Sequence, residues 1–388
     1  MKKLLSSVFI FLISISTLPY AMAQGENSHP LTIFESTENL QKLDSYTMNQ
    51  VVGGSLQFNT DSKDVDGVMG SFRFNIITDV ENLKPYEINT DSDISGYFSI
   101  SLKGNDKPFE NMVVNLRAQI ITIYKDGFYI RFNDLNFLTK GIPNKDIESF
   151  NEFRGELNRQ FSEVKGQWIY FPEDYYKGEF DNGMPTELST LDKETIKENA
   201  KNKGLKATYR QIITDLINSL AKNNDITDDQ EQTFKKISDR FFNTKFFSEW
   251  TVKTGKNKGY VSFFLDKSKI LNFFQSVSKD LNEDLTENDI AEIKSALGKF
   301  SIRGLYNIDP VNRIFDKFFI KFELFGLEGL SKAHIKYSSE IKDLNKDLSI
   351  KEPDDFTPVD QMNLPLLPQS TTDSESVPTG STTDNSGL

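Results

Sequence analysis

Between Phe109 and Leu138 the chain reads FENMVVNLRAQIITIYKDGFYIRFNDLNFL, and its alternation of apolar and polar residues restricts the fold more than any other stretch. Two long strands are joined at Asp126-Gly127, a pair that tolerates the positive φ angles of a type I′ hairpin turn. That turn predicts Tyr124 opposite Tyr129, Ile123 opposite Ile130 and Ile121 opposite Phe132. Ile121, Ile123, Phe128, Ile130 and Phe132 then form an apolar face, and Thr122, Tyr124, Tyr129, Arg131 and Asn133 a polar one. Agreement between the two strands is what a half-buried antiparallel pair requires. Upstream, Met112, Val114, Leu116, Ala118 and Ile120 carry the opposite parity to Ile121 and Ile123. A parity switch within one strand predicts a β-bulge near Gln119 to Ile121, and hence a bent, curved sheet.

Other rows repeat the period of two. Val52, Leu56 and Phe58 share a face interrupted by Gly53-Gly54. Phe72, Phe74 and Ile76 form a second row, and Phe98, Ile100 and Leu102 a third. Turn chemistry at Asp66-Gly67, Asn89 to Asp93 and Gly104 to Asp106 separates them, so an antiparallel meander is expected. The pattern becomes helical over Asp146–Glu163, Thr190–Lys222 and Asp225–Asp239, as it already is over Pro30–Asp44. A second β-rich block follows, with a hairpin around Gly255 to Asn257 and a helix over Asp266–Leu281 that turns Ile270, Phe273, Phe274 and Val277 inward. Thr286 and Asp289 form a capping box for another helix that Gly298 ends. Long strands then carry Phe318, Ile320, Phe322 and Leu324, and after them Ala333, Ile335, Tyr337 and Ile341. Sheet, helices, sheet is an α+β order. The fold class expected is a large curved antiparallel sheet, a half-barrel wrapping several helices, with a helical segment between two β-rich halves.

The ends differ from this middle. Lys2 and Lys3, the apolar run Leu4 to Leu18 and the small-residue box Ala21-Met22-Ala23 read as a secretory signal peptide over 1–23, cut before Gln24. The expected domain covers 24–350, β-rich over 47–172 and 246–350 and helical over 190–239. Residues 351–388, rich in Pro, Ser, Thr and Asp, read as a disordered tail. The protein is expected to be exported, periplasmic or extracellular, and not lipid-anchored, since a lipid anchor needs a cysteine and the chain has none. Its formal charge of −12, or −14 once Lys2 and Lys3 leave with the signal, makes nucleic acid and anionic membranes poor partners.

Residues that carry chemistry are scarce. The two histidines, His29 and His334, are far apart in sequence and there is no thiol, which argues against a zinc or copper site. No phosphate loop, dinucleotide fingerprint or hydrolase elbow is present. Asp61 to Gly67 has an acidic look but lacks the spacing and distal Glu of a calcium loop. Glu173-Asp174 beside Tyr175-Tyr176 puts acids next to rings that could stack on sugars, though an exposed acidic loop is its ordinary meaning. No cofactor is expected.

Three segments are similar to a known family: the strand entry LDSYTMNQVVGGSL, the GQWIYF strand at Gly166 to Phe171, and GYVSFFLDKSKI from Gly259. Together they resemble bacterial envelope proteins of the LolA/LppX-like half-barrel type over about Leu31 to Ile350. The resemblance implies a strongly curved antiparallel sheet around a few helices, with an apolar cavity that holds acyl chains. Thr190 to Asp239 is longer than such folds need. Phe72, Phe74, Ile76, Phe98, Ile100, Ile121, Ile123, Ile130, Phe132, Phe318, Ile320, Phe322 and Leu324 are the candidate lining. Core packing is the ordinary explanation of such rows, but a curved sheet leaves a hollow that short helices fill imperfectly. The leading expectation is a non-enzymatic, exported binder or carrier of a hydrophobic small molecule or lipid. A solidly packed structural or adhesive surface module is the alternative, and an acidic-site hydrolase a distant third.

Overall fold

Two meanders laid side by side make the fold. The first holds β1 (Ser45–Asn59), β2 (Gly67–Lys84), β3 (Glu87–Lys103), β4 (Glu110–Ile123), β5 (Gly127–Lys140) and β6 (Trp168–Pro172). The second holds β7 (Phe247–Thr254), β8 (Lys258–Leu265), β9 (Phe300–Asp309), β10 (Ile314–Leu327) and β11 (Leu330–Lys342). The two-residue β12, Thr357–Pro358, closes the order. β1 pairs with β11 from Thr47↔Lys342 to Phe58↔Leu330, so the halves merge into one curved, unclosed 12-stranded sheet ordered β12-β6-β5-β4-β3-β2-β1-β11-β10-β9-β8-β7. Helices α1 (Ile33–Leu40), α2 (Asp228–Asn243), α3 (Lys267–Asp280) and α4 (Glu287–Gly298) complete the α+β architecture. These observations come from a computed structural model that describes residues 33–59, 67–84, 86–103, 110–140, 161–173, 228–254, 258–281, 284–327 and 330–362, with short helical pieces at 152, 155–156, 158–159, 198–199, 201–204, 207–208 and 211.

Local sequence explains the helix ends. The Asp266 carboxylate accepts from the backbone N–H groups of Ser268 and Lys269 at the start of α3, and Thr286 with Asp289 makes the expected capping box on α4. Both satisfy donors that a helix N-terminus leaves orphaned. Among the described residues no helix is long and apolar enough to cross a membrane.

Among the described residues the core forms three separate clusters. The largest lies over β7 to β10, where Phe241 of α2, Phe273, Phe274 and Val277 of α3 and Leu297 of α4 close on Phe263, Ile302 and Tyr306. A second joins Leu43 after α1 to Tyr46, Val80 and Ile314. The third, at the other edge, gathers Val164, Ile169, Phe171 and Val359 against Phe128, Ile130 and Phe132.

Three expectations need correction. The β4–β5 hairpin pairs Ile123 with Gly127 and Ile121 with Tyr129, leaving Tyr124 to Asp126 as the loop, with φ 64° at Lys125 rather than at Asp126. Asp126 serves instead as an acceptor, taking the Tyr129 hydroxyl on Oδ2 at 2.5 Å. A one-residue change of register turns every side chain over. Phe128, Ile130 and Phe132 therefore share a face with Ile120 and Ala118, while Ile121 and Ile123 point the other way.

The bulge also moves. It falls between Arg117↔Asp134 and Ala118↔Phe132, with Asn133 of β5 as the extra residue, while β4 pairs with β3 without a break.

The third correction concerns the C-terminal segment. Residues 351–362 belong to the fold: Thr357 pairs with Ile169, Val359 is buried, and Phe356 packs edge-on against Tyr129 at 5.1 Å. This strap explains the parity switch, because it covers the face to which Ile121 points. Tyr129, which shares that face with Ile121, packs beneath it, and this needs no break in β4. The signal segment and residues 363–388 lie outside the described residues.

Candidate functional site

Directly paired residues in an antiparallel sheet share a face, so the register sorts every strand into two sides. On one side the middle strands present Val52, Phe74, Gly96 and Leu116 in one cross-strand rung, then Gly54, Phe72, Phe98 and Val114, then Leu56, Gly70, Ile100 and Met112. Gln50, Ile76, Ile94 and Ala118 make the rung on the other flank. Between Tyr46 and Leu56, Gly70 and Val80, Ile88 and Ile100, and Met112 and Thr122, no position on this side carries a charge. The opposite side holds Asp79, Arg73, Asp91, Asp93 and Arg117.

Two glycines shape the floor. A Cβ at Gly96 would stand 2.5 Å from Cδ1 of Phe74, and one at Gly54 would stand 3.1 Å from the Phe72 ring and 2.5 Å from the His334 carbonyl oxygen. Each phenylalanine thus lies down across a glycine on the neighbouring strand. The two rings, 6.3 Å apart, form a low aromatic surface. Gly54, half of the pair that reads as an interruption of the first row, is the space the Phe72 ring needs.

This floor is only partly covered. Phe72, Phe74, Ile76 and Ile100 are half-buried, and Phe98 retains 40% of its exposure and Ile335 on β11 38%. Among the described residues, the three core clusters take in none of Phe72, Phe74, Ile76, Phe98 and Ile100. At one end the floor turns polar without becoming charged. Gln50 Nε2 donates to the Tyr337 hydroxyl at 2.8 Å, and the hydroxyls of Thr78 and Ser92 meet at 2.9 Å.

The remaining candidate residues fall elsewhere. Phe318, Ile320, Phe322 and Leu324 share the apolar side but pack against the helix-covered cluster of β7 to β10. Ile130 and Phe132 share it too, and pack into the edge cluster with Ile169 and Phe171. Ile121 and Ile123 lie on the opposite side, Ile121 buried near Tyr129. The thirteen positions therefore do not line one chamber. Sequence reading missed Val52, Leu56, Ile94, Val114 and Leu116, which the parity rule places beside the Phe rows once β4 is read without a bulge.

Among the titratable groups, Glu249 on β7 shares the apolar side with Phe263 and the Tyr306 hydroxyl bonds to it. Burial pushes its carboxyl up to about 7, and one of its oxygens is buried with no partner among the described residues. His334 sits on the polar side, its Nδ1 2.8 Å from Ser55 Oγ, and burial with nearby lysines lowers its pKa. Asp61 to Asp66 and Asp174 to Tyr176 lie outside the described residues.

No family model matches the chain, and no curated protein matches it either. Among solved structures, the crystal structure of a beta-barrel-like protein of domain of unknown function DUF1849 from Brucella abortus is similar at 7% identity. It covers 78% of this chain and 99% of that one, with a TM-score of 0.12. A likeness at that level carries no argument.

Proposed function

We propose that this chain is an exported, non-enzymatic binder or carrier of a hydrophobic, lipid-like ligand, related in design to LolA/LppX-type half-barrels. The observation that carries the reading is the charge-free floor of β1 to β4. Its Phe72, Phe74 and Phe98 keep apolar surface in reach of a ligand, while the flanks of the same face are closed by helices on one side and by the edge cluster of Ile169, Phe171 and Val359 on the other. Exposed apolar surface rimmed by polar groups is where greasy ligands bind. The change from phenyl rings at one end to Gln50, Tyr337, Thr78 and Ser92 at the other suits an amphiphile with an uncharged, hydrogen-bonding head. An ionised head would meet no counter-charge on the described floor of β1 to β4, and burying it unpaired would be costly.

Mass spectrometry of organic extracts from the purified, exported protein tests this. A co-purifying amphiphile in near-stoichiometric amount is the expected result. Extracts no richer than those of an unrelated exported protein, together with no saturable uptake of an added lipid, would leave the packed surface module as the better account.

A further inference from the structure

On the polar side of the sheet one rung gathers cations. The register places Arg303 on β9 opposite Lys321 on β10, Lys321 opposite Lys336 on β11, Lys336 opposite Gly53 on β1, and Gly53 opposite Arg73 on β2. Like charges directly opposite on neighbouring strands destabilise a sheet. Only partial relief is at hand: Glu323 reaches Lys321 Nζ at 2.6 Å and Arg303 Nη2 at 3.5 Å. Lys336 and Arg73 are exposed and have no acidic partner among the described residues. Lys332 and His334 add to the same patch, and His334 lies in the field of Lys321, Lys332 and Lys336. In a chain with a formal charge of −12 this is a local inversion of sign. Gly53, between Lys336 and Arg73, contributes no side chain, so one acid group can reach both.

The rung continues into a different chemistry. Arg73 faces Tyr97 on β3, Tyr97 faces Asn115 on β4, and Asn115 faces Asn136 on β5. Tyr97, Asn115 and Asn136, with Ser95, Arg117 and Asp134, line a shallow cavity of about 390 Å³. Tyr97 is exposed, and the Asn side chains each offer a donor and an acceptor in one plane. A ring for the C–H face of a sugar and amides for neighbouring hydroxyls adjoin a line of cations for acid groups.

We infer that the polar side of the sheet binds an extended anionic glycan laid across the strands, its acid groups on Lys336, Arg73 and Lys321 and a sugar ring over Tyr97. Nucleic acid and anionic bilayers fit less well, because the adjoining amides of Asn115 and Asn136 in a shallow cavity suit ring hydroxyls that a phosphate backbone and a planar headgroup layer do not present. The site is on the opposite face from the apolar floor, and its occupancy is independent of the lipid-binding reading.

Calorimetric titration of the purified chain with an oligogalacturonate and a heparin-derived oligosaccharide tests the inference. A neutral malto-oligosaccharide, polyphosphate and phosphatidylglycerol vesicles serve as comparisons. Binding of at least one acidic glycan is expected, weakening as salt rises because bound counterions are released. The double variant Lys336→Gln/Arg73→Gln should lose about tenfold or more in affinity at an unchanged melting temperature, while the charge-conserving Lys336→Arg/Arg73→Lys should retain it. Tyr97→Ala should weaken glycan binding and leave any polyphosphate binding as it was, and Phe98→Asp on the other face should change neither. The inference is overturned by absence of binding to both acidic glycans, by polyphosphate or vesicles binding as well as the glycans, or by a double variant that binds like the parent.

Discussion

The apolar side of the sheet is finished in one region and unfinished in another. Over β7 to β10, Phe263 is 0% exposed, enclosed by Phe247, Tyr306 and Phe318 and roofed by the helices of the second half. Over β1 to β4, chemically similar rows of phenylalanine and isoleucine remain half-open, with Phe98 at 40%. The strands carry the same alternation in both regions, so alternation alone does not decide which becomes core. Among the described residues, what differs is whether helices with a matching stripe arrive: Ile270, Phe273, Phe274 and Val277 of α3 do so over one region only. Apolar periodicity marks a face to be covered, and the cover need not come from the protein itself.

The sharpest way to break this comparison is to truncate one phenylalanine in each region. Phe263→Ala should cost about 3–5 kcal/mol, as in a filled core. Phe98→Ala should cost under about 1 kcal/mol, because the ring has already forfeited contacts on its open side. Equal losses in chemical denaturation would show that the two regions are packed alike. Phe322→Ala, which packs against the helix-covered cluster, should fall with Phe263.

A second test concerns the strap. Ending the chain at Asp355 removes Phe356 from Tyr129 and Tyr170 and Val359 from Ile169, so a loss of about 2–4 kcal/mol is expected from the apolar area uncovered. A melting temperature equal to that of the full chain would mean the strap contributes nothing to that edge.

The floor's own geometry gives a smaller effect. Gly96→Ala puts its Cβ 2.2 Å from the Arg73 carbonyl oxygen and 2.5 Å from the Phe74 ring, so strand and ring must both shift, and it should cost about 1–3 kcal/mol as overpacking. It should also alter lipid uptake. A neutral outcome on both counts would show that strand and ring give way freely.

The smallest effect is one of pH. Burial raises the Glu249 carboxyl to about 7, above its unfolded value of 4.5. The folded state therefore holds its proton more tightly, and the contribution of this group to stability falls as pH rises from 4.5 to 7 and is constant above that. Glu249→Gln should raise the melting temperature by about 2 °C at pH 8 and leave it unchanged at pH 4. An equal shift at both values would mean the carboxyl does not titrate within that window.

Much of the fold was legible because its signals are local. The Phe72/Phe74/Ile76 and Phe318/Phe322 rows, the Thr286 capping box and the inward stripe of α3 all follow from residues a few positions apart. One failure was local: Asp126 accepts from the hydroxyl of Tyr129, three residues on, instead of taking a central place in the turn, and that one residue of register moved Ile121 and Ile123 to the other face. The other failures were of longer range. Pairing of β1 with β11 joins residues 272 to 295 apart, as Phe58↔Leu330 and Thr47↔Lys342 show. The composition of 351–362 reads as solvated chain, yet Phe356 and Val359 are the residues that dock it. For the floor, the legible part was the phenylalanine rows; the missing part was that Gly54 and Gly96 stand opposite Phe72 and Phe74, a relation that exists only once register is known.

Titration of the purified chain with a fluorescent monoacylglycerol, whose head is uncharged, alongside Phe98→Asp, tests the central claim most directly. The account predicts saturable binding by the parent and its loss in the variant, with the two melting temperatures alike because the position is already open. No saturable binding by the parent, or undiminished binding by Phe98→Asp, would contradict it.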